Sequence, residues 1–274
     1  MKSNCQISSY LRALDRFGRI GQVHSVFHHS FNLIVDQQLM HVTDSEGFLS
    51  SFGLRITPES FQAINPFCQQ GNVVKLTRDS LTFYSRSGTK KIAFDSLEKI
   101  PLSLSAVSFD SAVISTLITA LENFQLRSQL GLTVGTMESA FFEFLLQPDL
   151  ESENWDLLTN YFIGRGKGLT PSGDDLLMGY LFILAIYQIP VAATLRQALA
   201  SKIERTTTVS QNYIQAMLAG FASSPFIALQ QKIDKKANET ELIQALEKIL
   251  LIGGTSGKDT AYGMLLGLNA VKNR

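Results

Sequence analysis

The sequence predicts an α+β protein, with a β-rich barrel- or sandwich-like domain first and an α-helical domain after it. Three observations carry this. Between Gln22 and Ser96 the apolar residues fall in short runs, separated by turn-forming pairs such as Asp36-Gln37, Arg78-Asp79 and Ser87-Gly88. From Asp110 onward they recur at helical spacing, as in Val113, Leu117, Leu121 and Phe124. Between these lies a Ser- and Leu-rich transition, residues 97–110, which contains Pro101. The boundaries that follow are residues 1–107 for the β-rich domain, with a short leading helix, and 108–274 for the helical domain.

In chain order, residues 4–20 read as that leading helix, because Tyr10, Leu11, Leu14 and Phe17 share one helical face. Strand-like runs follow from Val23 to Val42, with a turn at Asp36-Gln37-Gln38, and again from Phe48 to Ile56. Pro58-Glu59 opens a short helix toward Ile64. Gly71–Leu76, Ser80–Tyr84 and Lys91–Phe94 then form a meander, giving about six strands in all. The helical part places helices at 110–127, 138–146, 155–162, 174–188, 191–204, 210–222, 240–252 and 259–271.

Residues 176–195 carry no charge over a length close to a membrane span. Pro190 breaks the run, and Tyr180, Tyr187 and Gln188 are polar within it, which favours a buried core helix. The chain has 274 residues, no formal net charge, 45% apolar and 18% charged residues, a globular balance without the basic stripe of a nucleic-acid binder. Cys5 and Cys68 do not make a disulfide framework. The first residues lack a continuous apolar run of the signal-peptide kind, so the expected compartment is the cytoplasm. His24, His28, His29 and His41 all fall in the first domain without a third-ligand pattern, and ordinary strand histidines explain them better than a metal site.

The candidate site lies in the second domain. Gly164-Arg165-Gly166-Lys167-Gly168-Leu169-Thr170-Pro171-Ser172-Gly173-Asp174-Asp175 is a glycine-rich loop with two cations, running into an apolar helix. Ser172 with Asp175 three residues later matches an ordinary capping box, which by itself binds nothing. The flanking glycines, Arg165 and Lys167 exceed what a cap needs, and a helix N-terminus with free amides suits an anion. A second copy supports the functional reading: Ser256, Gly257, Asp259 and Gly263 repeat Ser172, Gly173, Asp175 and Gly179 at the same spacing. The helix glycines are expected where the two helices pack closely, bringing both N-termini to one pocket.

Arg205-Thr206-Thr207-Thr208-Val209-Ser210 is a third candidate wall, or only an N-cap made by Thr208 or Ser210. Gly257-Lys258 falls short of a phosphate-binding P-loop, since Ile252 and Asp259 occupy its first glycine and its Ser/Thr positions. Gly164, Gly166, Lys167, Gly168, Thr170, Ser172, Gly173, Thr207, Thr208, Ser210, Gly254, Ser256 and Gly257 are therefore the candidate binding residues. Asp174, Asp175 and Asp259 are the candidates to orient an amide N–H or to hold a divalent cation such as Mg²⁺ with a substrate phosphate. Adjacent helix residues point about 100° apart, so Asp174 and Asp175 are expected to do different work.

The two motifs, GRGKGLTPSGDDLLMGYL and GGTSGKDTAYGMLLGL, together with the early HSVFHHSFNLIV, resemble a bacterial family that includes the AllH subunit of oxamate carbamoyltransferase, from allantoin breakdown. The resemblance runs from about Val23 to Leu268. It implies roles for Gly164, Gly166, Gly168, Thr170, Pro171, Ser172, Gly173, Asp174 and Asp175, and for Gly254, Ser256, Gly257 and Asp259, while Arg165 and Lys167 fall at variable positions. It also implies partner subunits, small anionic ligands (phosphate, carbamoyl phosphate, oxamate), and a reaction in which oxalurate and phosphate give oxamate and carbamoyl phosphate. A scaffold or ligand-sensing subunit is the second function class. A nucleotide-dependent kinase or ligase is the third, and the missing P-loop argues against it.

Overall fold

The computed structural model describes residues 5–11, 18–94 and 96–274. It is an α+β protein with the β-rich part first and the helical part second. Two compact units form, one of residues 1–103 with 221–224, the other of residues 104–220 with 225–274.

The first unit is built on a curled sheet of nine strands among the described residues: β1 (Cys5–Ser8), β2 (Arg19–Val26), β3 (Ser30–Val35), β4 (Gln38–Thr43), β5 (Gly53–Arg55), β6 (Val73–Leu76), β7 (Ser80–Ser85), β8 (Gly88–Ala93) and β9 (Leu97–Ile100). Their order is β8-β7-β6-β2-β3-β4-β5-β1-β9. Short hairpins make most of it antiparallel. The tight β3–β4 turn holds Asp36 and Gln37 at φ 53° and 65°, the left-handed pair that suits the twist of a two-residue hairpin. Two parallel pairings, β4 with β5 and β1 with β9, need longer connections. Alternate residues such as Phe31, Leu33, Leu39, Phe52, Leu54 and Phe83 are buried. α1 (Pro58–Ile64) sends Phe61 and Ile64 into that core, Phe61 stacking on Phe31. His41 of β4 lies edge-on to Phe48, and desolvation draws its pKa down to about 4, so it is neutral in the fold.

Several expectations change here. Cys5–Ser8 is a strand rather than the start of a helix, because Cys5 and Ile7 face the core and β9 supplies a partner from far along the chain. Leu14 and Phe17 lie outside the described residues. Only Gly53–Arg55 of the Phe48–Ile56 run is strand, since the preceding residues turn and Ser50 packs against Gly53. The transition from residue 97 begins with β9.

The second unit contains α2 (Ser111–Asn123), α3 (Thr136–Leu146), α4 (Ser152–Phe162), α5 (Ser172–Ile186), α6 (Val191–Lys202), α7 (Thr208–Leu218), α8 (Ser224–Asp234, of which Ser224 belongs to the first unit), α9 (Glu239–Leu250) and α10 (Ser256–Lys272). Every residue of α5 except Ala185 is buried, which explains why its sequence is uncharged and mostly apolar after Asp175. The chain leaves α5 through Gln188, at φ 54°, so the uncharged run is two helices with a turn between them. Among the described residues, no helix is long and apolar enough to cross a membrane. α8 was not expected from periodicity. Its signal is Ser224-Pro225, with proline in the first turn where a missing amide costs nothing.

α5 and α10 form the centre of this unit. They run parallel and touch backbone to backbone. A Cβ on Gly179 would land on the carbonyl oxygen of Thr260, and one on Gly263 would land on that of Leu176. Glycine is used at these two positions for close approach, at a cost of about 1 kcal/mol each in helix propensity. Trp155 of α4 and Phe142 of α3 pack against Tyr180 and Tyr262 on the outer sides of the pair.

Candidate functional site

Parallel packing puts the N-termini of α5 and α10 side by side. Each begins with the same Ser-Gly-x-Asp sequence, and the two copies are crossed. Ser172 does not cap its own helix, nor does Ser256. The hydroxyl of Ser172 lies beside Asp259 of α10, and that of Ser256 beside Asp175 of α5. In place of the expected capping boxes, each serine hydroxyl contacts the aspartate of the other helix. Asp175 lies one turn before Gly179 and Asp259 one turn before Gly263, so both carboxylates face the neighbouring helix.

The three aspartates are buried, with relative exposures of 0% for Asp174, 2% for Asp175 and 0% for Asp259. Their surroundings differ. Asp174 is saturated: it accepts from the Gly164 amide at 2.7 Å, from the Ser210 hydroxyl at 2.6 Å and from the Thr206 hydroxyl. Burial raises its pKa, and those three donors oppose the rise. It therefore fastens the glycine loop to the start of α7. Asp259 accepts from the Gly131 amide at 2.9 Å through Oδ1. Burial raises its pKa, opposed by that amide, by Ser172 and Thr255, and by the Lys258 charge. Asp175 is pushed furthest from the ordinary carboxylate range, by burial and then, against the Ser256 hydroxyl, by the charges of Asp259 and Asp174. Oδ2 of Asp175 and Oδ2 of Asp259 are buried without a hydrogen-bond donor.

The glycine loop folds over its own helix. Gly166, at φ 126°, lies against the Ser172 amide and side chain. The first amides of α5 are taken by the chain itself: Gly173 donates to Arg165 O, and Asp174 and Asp175 to Pro171 O. α10 repeats this, with Gly257 donating to Ile252 O, and Lys258 and Asp259 to Thr255 O. The expected sets of free helix-end amides are therefore largely engaged internally. Gly164 packs on the Arg205 carbonyl, Gly173 on that of Phe162, and Gly257 on that of Ile249. Lys167, Gly168 and Gly254 are exposed, and half-buried Thr170 lies near Asp175.

The 205–210 turn is also resolved. Thr207, rather than Thr208 or Ser210, caps α7, accepting from the Ser210 amide at 3.1 Å and donating to Leu169 O. Thr208 is the first helical residue, and its carbonyl accepts from Asn212. The structure thus joins Thr207 and Ser210 to the glycine loop and leaves the Thr208 hydroxyl out of that network.

Two features were not anticipated. Gly131 sits over the joint: a Cβ there would collide with Ser172 Oγ and come within 2.7 Å of Thr255 Oγ1 and 3.3 Å of Asp259 Oδ2. Its signal is the tripeptide Gly131-Leu132-Thr133, repeated as Gly168-Leu169-Thr170. The other is a cluster at the rim. Buried Glu138 accepts from the Tyr161 hydroxyl at 2.5 Å and from the Gly135 amide at 3.0 Å, and pairs with Arg165 at 3.2 Å. Tyr161's bond is the largest influence holding Glu138's pKa down. Arg165 lies over the Tyr161 ring, 4.1 Å from its centre. Among the described residues, no group of three or more His, Cys, Asp or Glu side chains is arranged to hold a metal.

Two family models match the chain. That of the AllH family N-terminal domain matches residues 3–99, and that of oxamate carbamoyltransferase subunit AllH matches residues 162–268. Together they span most of the sequence, and the chain belongs to the AllH family. The second match contains both Ser-Gly-x-Asp motifs. No solved structure matches the chain.

Proposed function

We propose that this chain is a subunit of a carbamoyltransferase that converts oxalurate and phosphate to oxamate and carbamoyl phosphate, and that it binds anionic ligand at the joint of α5 and α10. The observation that carries the reading is family membership, through a match that includes both halves of the joint. The geometry supports a division of labour. Asp174 holds the loop in place. Asp175 and Asp259 form a carboxyl floor whose charge burial disfavours. In this reading Gly164, Gly166, Lys167, Gly168, Thr170, Ser172 and Gly173 of one loop and Gly254, Ser256, Gly257 and Lys258 of the other supply the binding residues around them.

In this transfer a phosphate oxygen attacks the carbamoyl carbon, the bond from that carbon to the oxamate nitrogen breaks, and that nitrogen takes a proton. Both reactants are anions, so rim cations favour their encounter, and catalysis rests on positioning and charge stabilisation. Because the first helix amides are engaged, rim side chains such as Lys167 and Lys258 take the larger share of anion contact. The same engagement of amides favours a second reading, in which the joint only holds a scaffold subunit together.

Assay of the full-length chain, alone and with its partner subunits, separates the two. Oxamate and carbamoyl phosphate should form only when the chain is present. Lys167→Ala and Lys258→Ala should each raise KM for phosphate with little change in melting temperature. Unchanged kinetics in the double variant would leave the scaffold reading standing.

A further inference from the structure

Three acidic groups crowd the first turns of α5 and α10. A helix end is worth roughly half a positive charge, so two parallel ends offset about one of the three carboxylate charges. Asp174 spends its oxygens on three donors, and its environment is complete. Asp175 and Asp259 are different. They sit one residue before the backbone contacts Leu176–Gly263 and Gly179–Thr260, and each is nine-tenths or more buried with an Oδ2 that makes no hydrogen bond of ordinary geometry, although hydroxyls lie close by. Buried acceptors are normally paired, and an orphan calls for an explanation. Here there are two, related by the internal repeat. The hydroxyls of Ser172, Thr255 and Ser256 lie beside them.

We propose that the crossed Ser/Asp joint binds one hard divalent cation of the Mg²⁺ or Mn²⁺ class, held by Asp175 Oδ2 and Asp259 Oδ2 and completed by neighbouring hydroxyls and water. Such ions take oxygen ligands, keep part of their water, and are bound through one or two carboxylates rather than a closed protein cage. An all-oxygen donor set without Cys or His does not suit Zn²⁺. The cation removes two costs at once, the repulsion between the carboxylates and their unmet acceptors. The site would form whether or not the carbamoyltransferase reading holds.

The test is calorimetric titration of the full-length, metal-stripped chain with MgCl₂ and with MnCl₂, with bound Mn²⁺ read independently by electron paramagnetic resonance. One ion per chain is expected, and binding should raise the melting temperature. Asp175→Asn and Asp259→Asn should each weaken Mn²⁺ binding by at least the ~10–100-fold that losing even an outer-shell partner costs, while Asp156→Asn, on the outer face of α4, should not. No saturable binding of either ion to the folded wild-type chain overturns the proposal, and so does binding that survives both joint variants. The wild-type titration decides the matter even if a variant fails to fold.

Discussion

Replacing Gly179 by alanine is expected to destabilise the helical unit by about 2–3 kcal/mol and to lower its melting temperature by roughly 5–10 °C. On an exposed helix the same change would add about 1 kcal/mol of stability. Here the new methyl group meets the carbonyl oxygen of Thr260, a backbone atom that cannot turn aside. α5 and α10 must separate, and the loss spreads over the most buried helix of the unit. Gly263→Ala should behave alike, because it strikes Leu176 O in the mirrored contact. Gly254→Ala, with open space around it, should change little. Urea denaturation of the three variants checks this. Stabilisation by Gly179→Ala would mean that the helices do not touch as described.

Asp174→Ala should cost about 3–5 kcal/mol, and its effect should be local as well as global. Removing the carboxylate leaves the Gly164 amide and the Thr206 and Ser210 hydroxyls without their acceptor. The loop then keeps only the Thr207–Leu169 bond to the start of α7, and trypsin should cut faster after Arg165 and Lys167. Asp174→Asn keeps an acceptor for the Gly164 amide and should be milder. Denaturation midpoints together with digestion rates measure both effects. Wild-type stability and digestion in Asp174→Ala would remove Asp174 from its proposed place as the fastening of the loop.

Much of this was legible in the sequence for a physical reason. Period-2 runs with turn residues between them fix hairpins locally, so β3, β4 and β7 were readable. Helical spacing likewise exposed α2 and α9. The strands that escaped, β1 and β9, pair in parallel across more than ninety positions, and nothing local records such a partner. Gly179 and Gly263 were informative because glycine inside an apolar helix needs a packing reason. The 100° between Asp174 and Asp175 implied different surroundings, and their partners do differ, the start of α7 for one and Ser256 of α10 for the other. What the motif could not reveal was the exchange of its halves. S-x-x-D within one helix and S-x-x-D shared between two helices are the same string, and only the parallel packing distinguishes them. Gly131 was hidden similarly, since its role comes from proximity to Ser172 and Thr255.

Turnover of Asp175→Asn per folded molecule, in the reconstituted enzyme, is the most direct test that the joint is the functional site. The substitution keeps the shape of a buried side chain and removes a charge that burial and two neighbouring carboxylates already disfavour, so the melting temperature should hold or rise. Activity should nevertheless fall about 100-fold or more. A variant with wild-type turnover would contradict this account and return the crossed Ser/Asp joint to a purely structural role.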